Sequence, residues 1–440
     1  MSVALKVAAA GAALAPAPLA AKLAEPEEAA SKTEGRTKVM NKGGFSEKRL
    51  ARLHDCLAGF VERGEMPGLV GLVCRRGEVH VDAIGKLAMG GDEPVRRDTI
   101  FRIASMTKPI IAAATMILVE ECKLRLDEPV DRLLPELADR KVLKRIDGPL
   151  DETVAAKRPI SVRDLLTFRM GFGLAFPFGQ TPIGKAMAEE QLGQGPPSPD
   201  NTPAPDEWMR RLGRLPLMHQ PGEKWMYNTG SDVLGVLIAR AAGQPLETFL
   251  RERIFDPLGM KDTGFSVPAA KLDRFATAYW ANFKTGKVEA YDKPDGQWSH
   301  PPAFPSGAGG LVSTVDDYLA FGQMMLDGGK HGNDRILSRP SVETMTTDQL
   351  TAEQKAVSGL IPGQFDSQGW GFGVSVVTRR TDVAGTVGQY GWDGGMGTSW
   401  RSDPTEQMVL VLLTQQGWTS PNPPNVCRDF WTSAYQAIDD

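Results

Sequence analysis

The 440-residue sequence predicts an α/β protein of the α+β type, with one central antiparallel sheet assembled from both ends of the chain and flanked by helices. Two observations carry this. β-rich runs gather near the two termini, while the chain between them reads as helices separated by Gly, Pro and Asn/Asp. The strand runs are also joined by short turns, which gives hairpins and hence antiparallel pairing.

In chain order, "MPGLVGLVCRRGEVHVDAIGKL" is two β-rich runs around an Arg-Arg-Gly turn. "FRIASMTKPI" then opens a helix whose run from Pro109 to Val119 is apolar except for Thr115, so it is apolar all round and belongs in the middle of the fold. With a start near Met106, Pro109 falls in the first turn, where its missing N–H has no helical partner to lose. Further helices are read in "SVRDLLTFRM", "PDEWMRRLGRL", "GSDVLGVLIARAAG" and "PLETFLRERIFDPLGM". The proline-rich stretch 171–205 reads as a long loop, a lid or substrate wall. "PSGAGGLVSTVDDYLAFGQMML" is a glycine-rich bend into a helix capped by Ser313 or Thr314. "GWGFGVSVVTRR", "QYGWDGGMGTSWRSDP" and "EQMVLVLLTQQ" supply three more strands. The expected division is an α/β part from 41–115 and 300–440, a mostly helical part over 116–299, and a site between them.

Composition narrows the function. With 50 basic and 54 acidic residues the formal net charge is −4, so no general field favours nucleic acid or an anionic membrane, and the expected partner is a small molecule. Cys56, Cys74, Cys122 and Cys427 have no metal-type spacing and are read as buried thiols; the five histidines never form an H-E-x-x-H pattern, so no metal or other cofactor is expected. No run reaches the length a membrane helix needs. Residues 1–40 are alanine-rich and then charged. Pro16, Pro18 and the lack of a clean cleavage site favour a disordered extension, or translated sequence upstream of a start at Met40, over a signal peptide. A cytoplasmic location follows from that reading, and a periplasmic or secreted one from the other. Monomer and homodimer stay open.

The chemistry concentrates on Ser105 and Lys108. Ser105 sits at the positive end of the helix dipole, and Lys108 lies one turn on, facing the same side. A serine hydroxyl needs a neighbouring base, and a lysine becomes one only when burial or another cation lowers its pKa. The S-x-x-K spacing alone arises by chance, and serine is a common helix cap. A lysine in the first turn of a buried helix is more unusual, because the dipole there disfavours a cation. Tyr227 in "GEKWMYNTGSDVLG" falls in a turn where its phenol can meet Lys108, and "YGWDGGMGTSW" is a strand with small residues at Gly394, Gly395 and Gly397, as needed where a substrate lies against backbone.

With these motifs in view, the chain from about Phe45 onward resembles the serine β-lactamase and penicillin-binding-protein superfamily, in its class C branch, and most of all the family VIII carboxylesterases. The resemblance rests on "SMTK", "YNT" at Tyr227, "RPISVRDLLTFRMG", "SGAGGLVSTVDDY" and "GWDGG" where β-lactamases carry K-T-G. It implies a β-lactamase-like fold, Ser105 as acylated nucleophile, and Lys108 and Tyr227 as its proton-handling partners. It also implies an oxyanion hole from the N–H groups of Ser105 and Gly395. Which of Lys108 and Tyr227 is the formal base stays open.

The departures bear on substrate. Trp392-Asp393-Gly394 replaces K-T-G, so the cation that holds a carboxylate is missing and neutral acyl esters are favoured. Asp393 is expected on the strand face away from the cleft. In place of the family's Y-x-N, Asn228 follows Tyr227 directly and Thr229 takes the amide's position, which weakens the case for β-lactam recognition. Phe172, Phe176, Phe178, Trp225, Trp370 and Phe372 lie near the motifs as an acyl-pocket lining or as core. The expected activity is hydrolysis of short- to medium-chain acyl esters through an acyl-enzyme, with weak cephalosporin hydrolysis as a side activity. The alternatives are a β-lactamase or D-alanyl peptidase, an acyltransferase, and a non-catalytic binding module. A Ser-His-Asp hydrolase is disfavoured because G-x-S-x-G is absent.

Overall fold

Gly68–Arg75 (β1) and Glu78–Gly85 (β2) form the predicted hairpin, turned at Arg76 and Gly77, whose φ values of 51° and 81° are the left-handed pair that a two-residue turn between twisted strands requires. The structure, a computed structural model, describes residues 43–175, 180–193, 195–282 and 285–440. The expected N-terminal extension and Phe176 and Phe178 lie outside these residues.

Five strands from the C-terminal end complete the sheet: Gln368–Trp370 (β3), Ser375–Val377 (β4), Tyr390–Gly394 (β5), Thr398–Asp403 (β6) and Met408–Thr414 (β7). The order is β3-β4-β5-β6-β7-β1-β2, with every neighbouring pair antiparallel. Three strands were expected here; Gly373 at φ 70° and Gly397 at φ 96° fold two of those runs back on themselves.

β1 and β7 are buried along their whole length because both faces of the sheet are covered. Their side chains alternate as strand geometry demands. Leu69, Val73, Leu410 and Leu412 pack against Leu53, Leu57 and Phe430 of two helices, Glu47–Glu62 (α1) and Asn425–Gln436, which the sequence reading did not single out. Val70, Leu72, Val409 and Val411 face the opposite core, with Ile110 and Ile111 of Thr107–Glu120 (α2), Leu234 of Thr229–Ala242 (α3) and Phe321 of Val315–Leu326 (α4). At roughly 1.5–3 kcal/mol for each fully buried large side chain, these two cores hold the sheet in register. The second core runs on without a break into Leu165, Trp208 and Phe249 of the helical layer, and the described residues form one compact unit.

Other expectations meet local physics. α2 is buried from Thr107 through Leu118, as its all-round apolarity requires. Thr314 rather than Ser313 caps α4, accepting from the Asp317 N–H at 3.2 Å. The helix read in "SVRDLLTFRM" stops at Leu166, because Phe168 turns left-handed at φ 57°. The stretch 171–205 is not all loop: Thr181 caps a helix over Pro182–Glu189. All four cysteines are free, but only Cys74 and Cys427 are buried; Cys56 is half-buried and Cys122 is exposed, at a left-handed bend just beyond α2.

Candidate active site

Ser105 sits in a single 3₁₀ turn, Ala104–Met106, that runs straight into α2. The turn holds Ala104 at φ 44°, a region that costs a residue with a Cβ about 1–2 kcal/mol. Three elements hold it there. The Ile103 N–H donates to Leu311 O at 3.0 Å, Thr398 of β6 donates to Ile103 O at 3.0 Å, and Tyr318 of α4 donates to Met106 O at 2.7 Å.

Lys108 is 1% exposed, and its Nζ lies 2.8 Å from Ser105 Oγ, 2.8 Å from Asn228 Oδ1 and 2.6 Å from Ala308 O. These three contacts use every proton an ammonium can donate. Burial pulls the lysine from its ordinary 10.5 to about 7, with the negative charge of Asp232 working in the opposite direction.

Tyr227 closes the other side. Its oxygen accepts from the Trp392 indole N–H at 2.7 Å and shares a hydrogen bond with the Ser105 hydroxyl. Its ring is packed by Phe168, Trp225 and Trp392 at centroid distances of 5.8, 5.6 and 5.6 Å, and Lys108 Nζ stands 4.6 Å from the ring centre. Burial pushes the phenol well above its usual 10. The next residue, Asn228, takes φ 89° and ψ −69° at the N-cap of α3, which turns its amide back onto the lysine.

These groups border a cavity of about 790 Å³. Its walls are largely apolar, with Trp280, Trp418, Phe304 and Leu192 among them, and the Pro196–Pro199 stretch of the expected wall segment forms one side. Ser105, Tyr227, Asn228, Trp392 and Gly395 therefore meet at one place.

Phe178 lies outside the described residues, and Thr229, Phe172, Trp225 and Gly394 do not line the cavity. Thr229, expected in the amide's place, is 1% exposed as the first residue of α3, and it is the Asn228 amide that meets Lys108. Phe172, 0% exposed, belongs to the main core, and Trp225 and Trp370 to the aromatic cluster behind Tyr227; Phe372 is also core. Gly394 is required by packing: a Cβ there would collide with Thr398 Oγ1 and Ile103 O. Asp393, expected to point away, does border the cavity, but Ser399 Oγ donates to it at 2.7 Å and Arg401 pairs with it at 2.8 Å.

Sequence reasoning missed Asp232, Ser306 and Ala308. Asp232 is 8% exposed; its Oδ1 accepts from Ser306 Oγ at 2.6 Å and from the Ala308 N–H at 3.0 Å. The available signal was an acid in the first turn of the run "GSDVLGVLIARAAG", whose stretch from Val233 to Ala239 is apolar. Among the described residues, no group of three or more His, Cys, Asp or Glu is arranged to hold a metal ion, and no single helix is long and apolar enough to cross a membrane.

A family model described as Beta-lactamase matches residues 53–425. An uncharacterized protein of Mycobacterium tuberculosis (strain CDC 1551 / Oshkosh) is 40% identical over 360 residues, covering 80% of this chain and 87% of its own length. Esterase EstB of Burkholderia gladioli is 31% identical over 399 residues, 85% of this chain and 92% of the esterase. The solved structure of EstCE1, described as a hydrolase with promiscuous acyltransferase activity, superposes with a TM-score of 0.72 at 24% identity, covering 89% of this chain and 99% of that one, and shows the same fold. The Ser-Lys-Tyr cluster thus lies inside a matched stretch that takes in most of the chain, which belongs to the beta-lactamase family as a serine hydrolase of the family VIII esterase type.

Proposed function

We propose that the protein is a carboxylesterase that forms an acyl-enzyme on Ser105, with Lys108 as the base at neutral pH and Tyr227 as a neutral phenol. The observation that carries this is the 2.8 Å contact between Lys108 Nζ and Ser105 Oγ, with burial driving the two partners apart in proton affinity: the lysine down to about 7, the phenol above 10.

In the proposed sequence, neutral Lys108 takes the Ser105 proton as Oγ bonds to the ester carbonyl carbon. The oxyanion is met by the N–H groups of Ser105 and Gly395. As the C–O bond to the alcohol breaks, Tyr227 gives its proton to the leaving oxygen, with the Trp392 N–H stabilising the phenolate oxygen. The ammonium of Lys108 then returns a proton to Tyr227. Water repeats the cycle on the acyl-enzyme and releases the acid.

The apolar walls and the absence of a lysine at position 392 favour neutral esters, and the volume leaves room for a bulky acid or alcohol portion. A cavity of this kind also admits an alcohol in place of water, so transfer to an acceptor alcohol is a second reading. The description of EstCE1 supports it. β-Lactam hydrolysis is proposed as a minor activity at most.

The test is hydrolysis of p-nitrophenyl esters of increasing acyl length beside a chromogenic cephalosporin, for wild type and Ser105→Ala. Ester turnover that exceeds lactam turnover and vanishes in the variant is expected. Lactam turnover exceeding ester turnover would refute the substrate assignment, and activity surviving in Ser105→Ala would remove the nucleophile.

A further inference from the structure

Lys108 contacts no carboxylate directly; its three acceptors are neutral oxygens of Ser105, Asn228 and Ala308. A buried cation held only by neutral groups depends on what fixes those groups and on the nearest buried charge. Both lead to Asp232. Ala308 holds the lysine with its carbonyl while its own N–H is held by Asp232, so one residue of the glycine-rich bend bridges the two charges. Asn228 is the N-cap of α3, and Asp232 lies in the first turn of the same helix, four residues on.

The bend can come this close to α3 because residue 307 is glycine; a Cβ there would collide with the Ser231 carbonyl. Ser306 Oγ donates to the same Asp232 oxygen at 2.6 Å, and Ser306 in turn accepts from the Gly309 N–H at 3.2 Å, which pins the bend on both sides of Ala308.

We propose that Asp232 is a positioning residue for the proton transfer: it fixes the Ala308 carbonyl against Lys108 and supplies the buried negative charge against which Lys108 gains and loses its proton. This rests on Lys108 being the base. The groups around the lysine, element by element, are Ser105 on its own helix, Tyr227 and Asn228 before α3, Asp232 in α3, and Ser306 and Ala308 in the bend; Asp393 on β5 is neutralised by Arg401. Asp232 is therefore the carboxylate whose charge the lysine feels most directly, and its field favours the ammonium.

The experiment is the pH dependence of kcat/KM on a p-nitrophenyl ester for wild type, Asp232→Asn, Ser306→Ala and Lys108→Arg. Asp232→Asn keeps an acceptor oxygen but removes the charge. Its acid limb should move about one to two pH units lower, with a plateau about tenfold lower because a weaker base remains. Ser306→Ala keeps the charge, so its acid limb should stay within about 0.3 unit of wild type whatever happens to its plateau. An unmoved acid limb in Asp232→Asn overturns the proposal. So does an equal downward shift in Ser306→Ala, which would make the hydrogen-bonded scaffold responsible, and that variant decides alone if Asp232→Asn does not fold. Wild-type-like activity and acid limb in Lys108→Arg would instead sink the assignment of the base.

Discussion

Replacing Trp392 by Phe separates the two roles an indole can have beside Tyr227. The ring packs edge-on against Trp370 at 4.6 Å and lies 5.6 Å from the Tyr227 ring, while its N–H donates to the phenol oxygen at 2.7 Å. Phe keeps most of the packing and loses the donor. If Tyr227 stays neutral throughout, the hydrogen bond, worth about 0.5–1.5 kcal/mol, is the same in ground and transition state, and its loss leaves kcat nearly unchanged. If Tyr227 passes its proton to the leaving alcohol, its oxygen becomes anionic in the transition state and the bond is charge-assisted, about 1.5–3 kcal/mol. The second case is the proposed one: the bond gains about 1–1.5 kcal/mol as charge develops, so kcat should fall about 5- to 15-fold with KM nearly unchanged. Steady-state kinetics on a p-nitrophenyl ester, with urea unfolding to check that the variant stays folded, measures this. A fall in kcat below threefold in a folded Trp392→Phe would show that no charge develops on Tyr227. A rise in KM alone would make Trp392 a substrate wall and nothing more.

Wild-type activity should rise with pH through about 7, because Lys108 must lose its proton to act and burial places that loss there; a flat profile from pH 5.5 to 8.5 would contradict it. The same depression has a stability consequence. In the unfolded chain the lysine holds its proton up to about 10.4. Between about 7 and there the unfolded state binds the extra proton, so this group's contribution makes folding more favourable as pH rises; below about 7 the full cost of burying the ammonium is present. Lys108→Met should gain most over wild type near pH 6 and lose that advantage toward pH 10, read by urea denaturation; a gap that does not change with pH would count against a buried, depressed lysine. Gly307→Ala should lose several kcal/mol of stability in the same measurement, since backbone rather than a flexible side chain stands in the way of its Cβ; a change under about 0.5 kcal/mol would mean the bend can move. His300→Ala should leave activity intact, because its 2.9 Å pair with Asp200 is exposed and such pairs contribute at most about 1 kcal/mol; total loss of turnover would overturn the Ser-Lys-Tyr reading.

The parts of the fold legible in the sequence are those set by period and composition. The hairpin of β1 and β2, the buried α2 and the strand character of β7 are runs whose apolar pattern leaves little choice. What escaped were features that depend on one backbone angle or one distant partner. Gly373 and Gly397 are single residues whose left-handed turns make hairpins of apparently continuous runs. α1 carries Leu50, Leu53, Leu57 and Phe60 at helical spacing, so its pattern was present and went unread beside the stronger strand signal that follows.

At the site, the reactive atoms were legible and their support was not, for a physical reason. Ser105, Lys108 and Tyr227 announce themselves because each residue type is chemically unusual where it stands. Their placement depends on residues chosen for backbone geometry. Ala104 at φ 44°, Phe168 at φ 57° and Asn228 at φ 89° are all non-glycine residues in conformations that side chains disfavour, and all three lie within the Ser105–Tyr227 cluster. Nothing in the residue types Ala, Phe or Asn signals this. Strain of about 1–3 kcal/mol at each persists only where the surroundings over-determine it. The three clamps on the Ser105 turn and the aromatic packing around Tyr227 do so here. Of the described aromatics read as an acyl pocket, Trp225 and Trp370 belong to that support, and Phe172 and Phe372 to the main core. Trp225 stacks behind Tyr227, and Phe172 lies in the core below it, so Phe172→Ala should cost about 3–5 kcal/mol of stability with acyl preference unchanged. Trp280→Ala, which opens the cavity wall, should shift preference toward longer or bulkier acyl groups in the p-nitrophenyl ester series. If instead a folded Phe172→Ala changed chain-length preference and Trp280→Ala did not, the cavity walls would be misassigned and the substrate would lie on the far side of Tyr227.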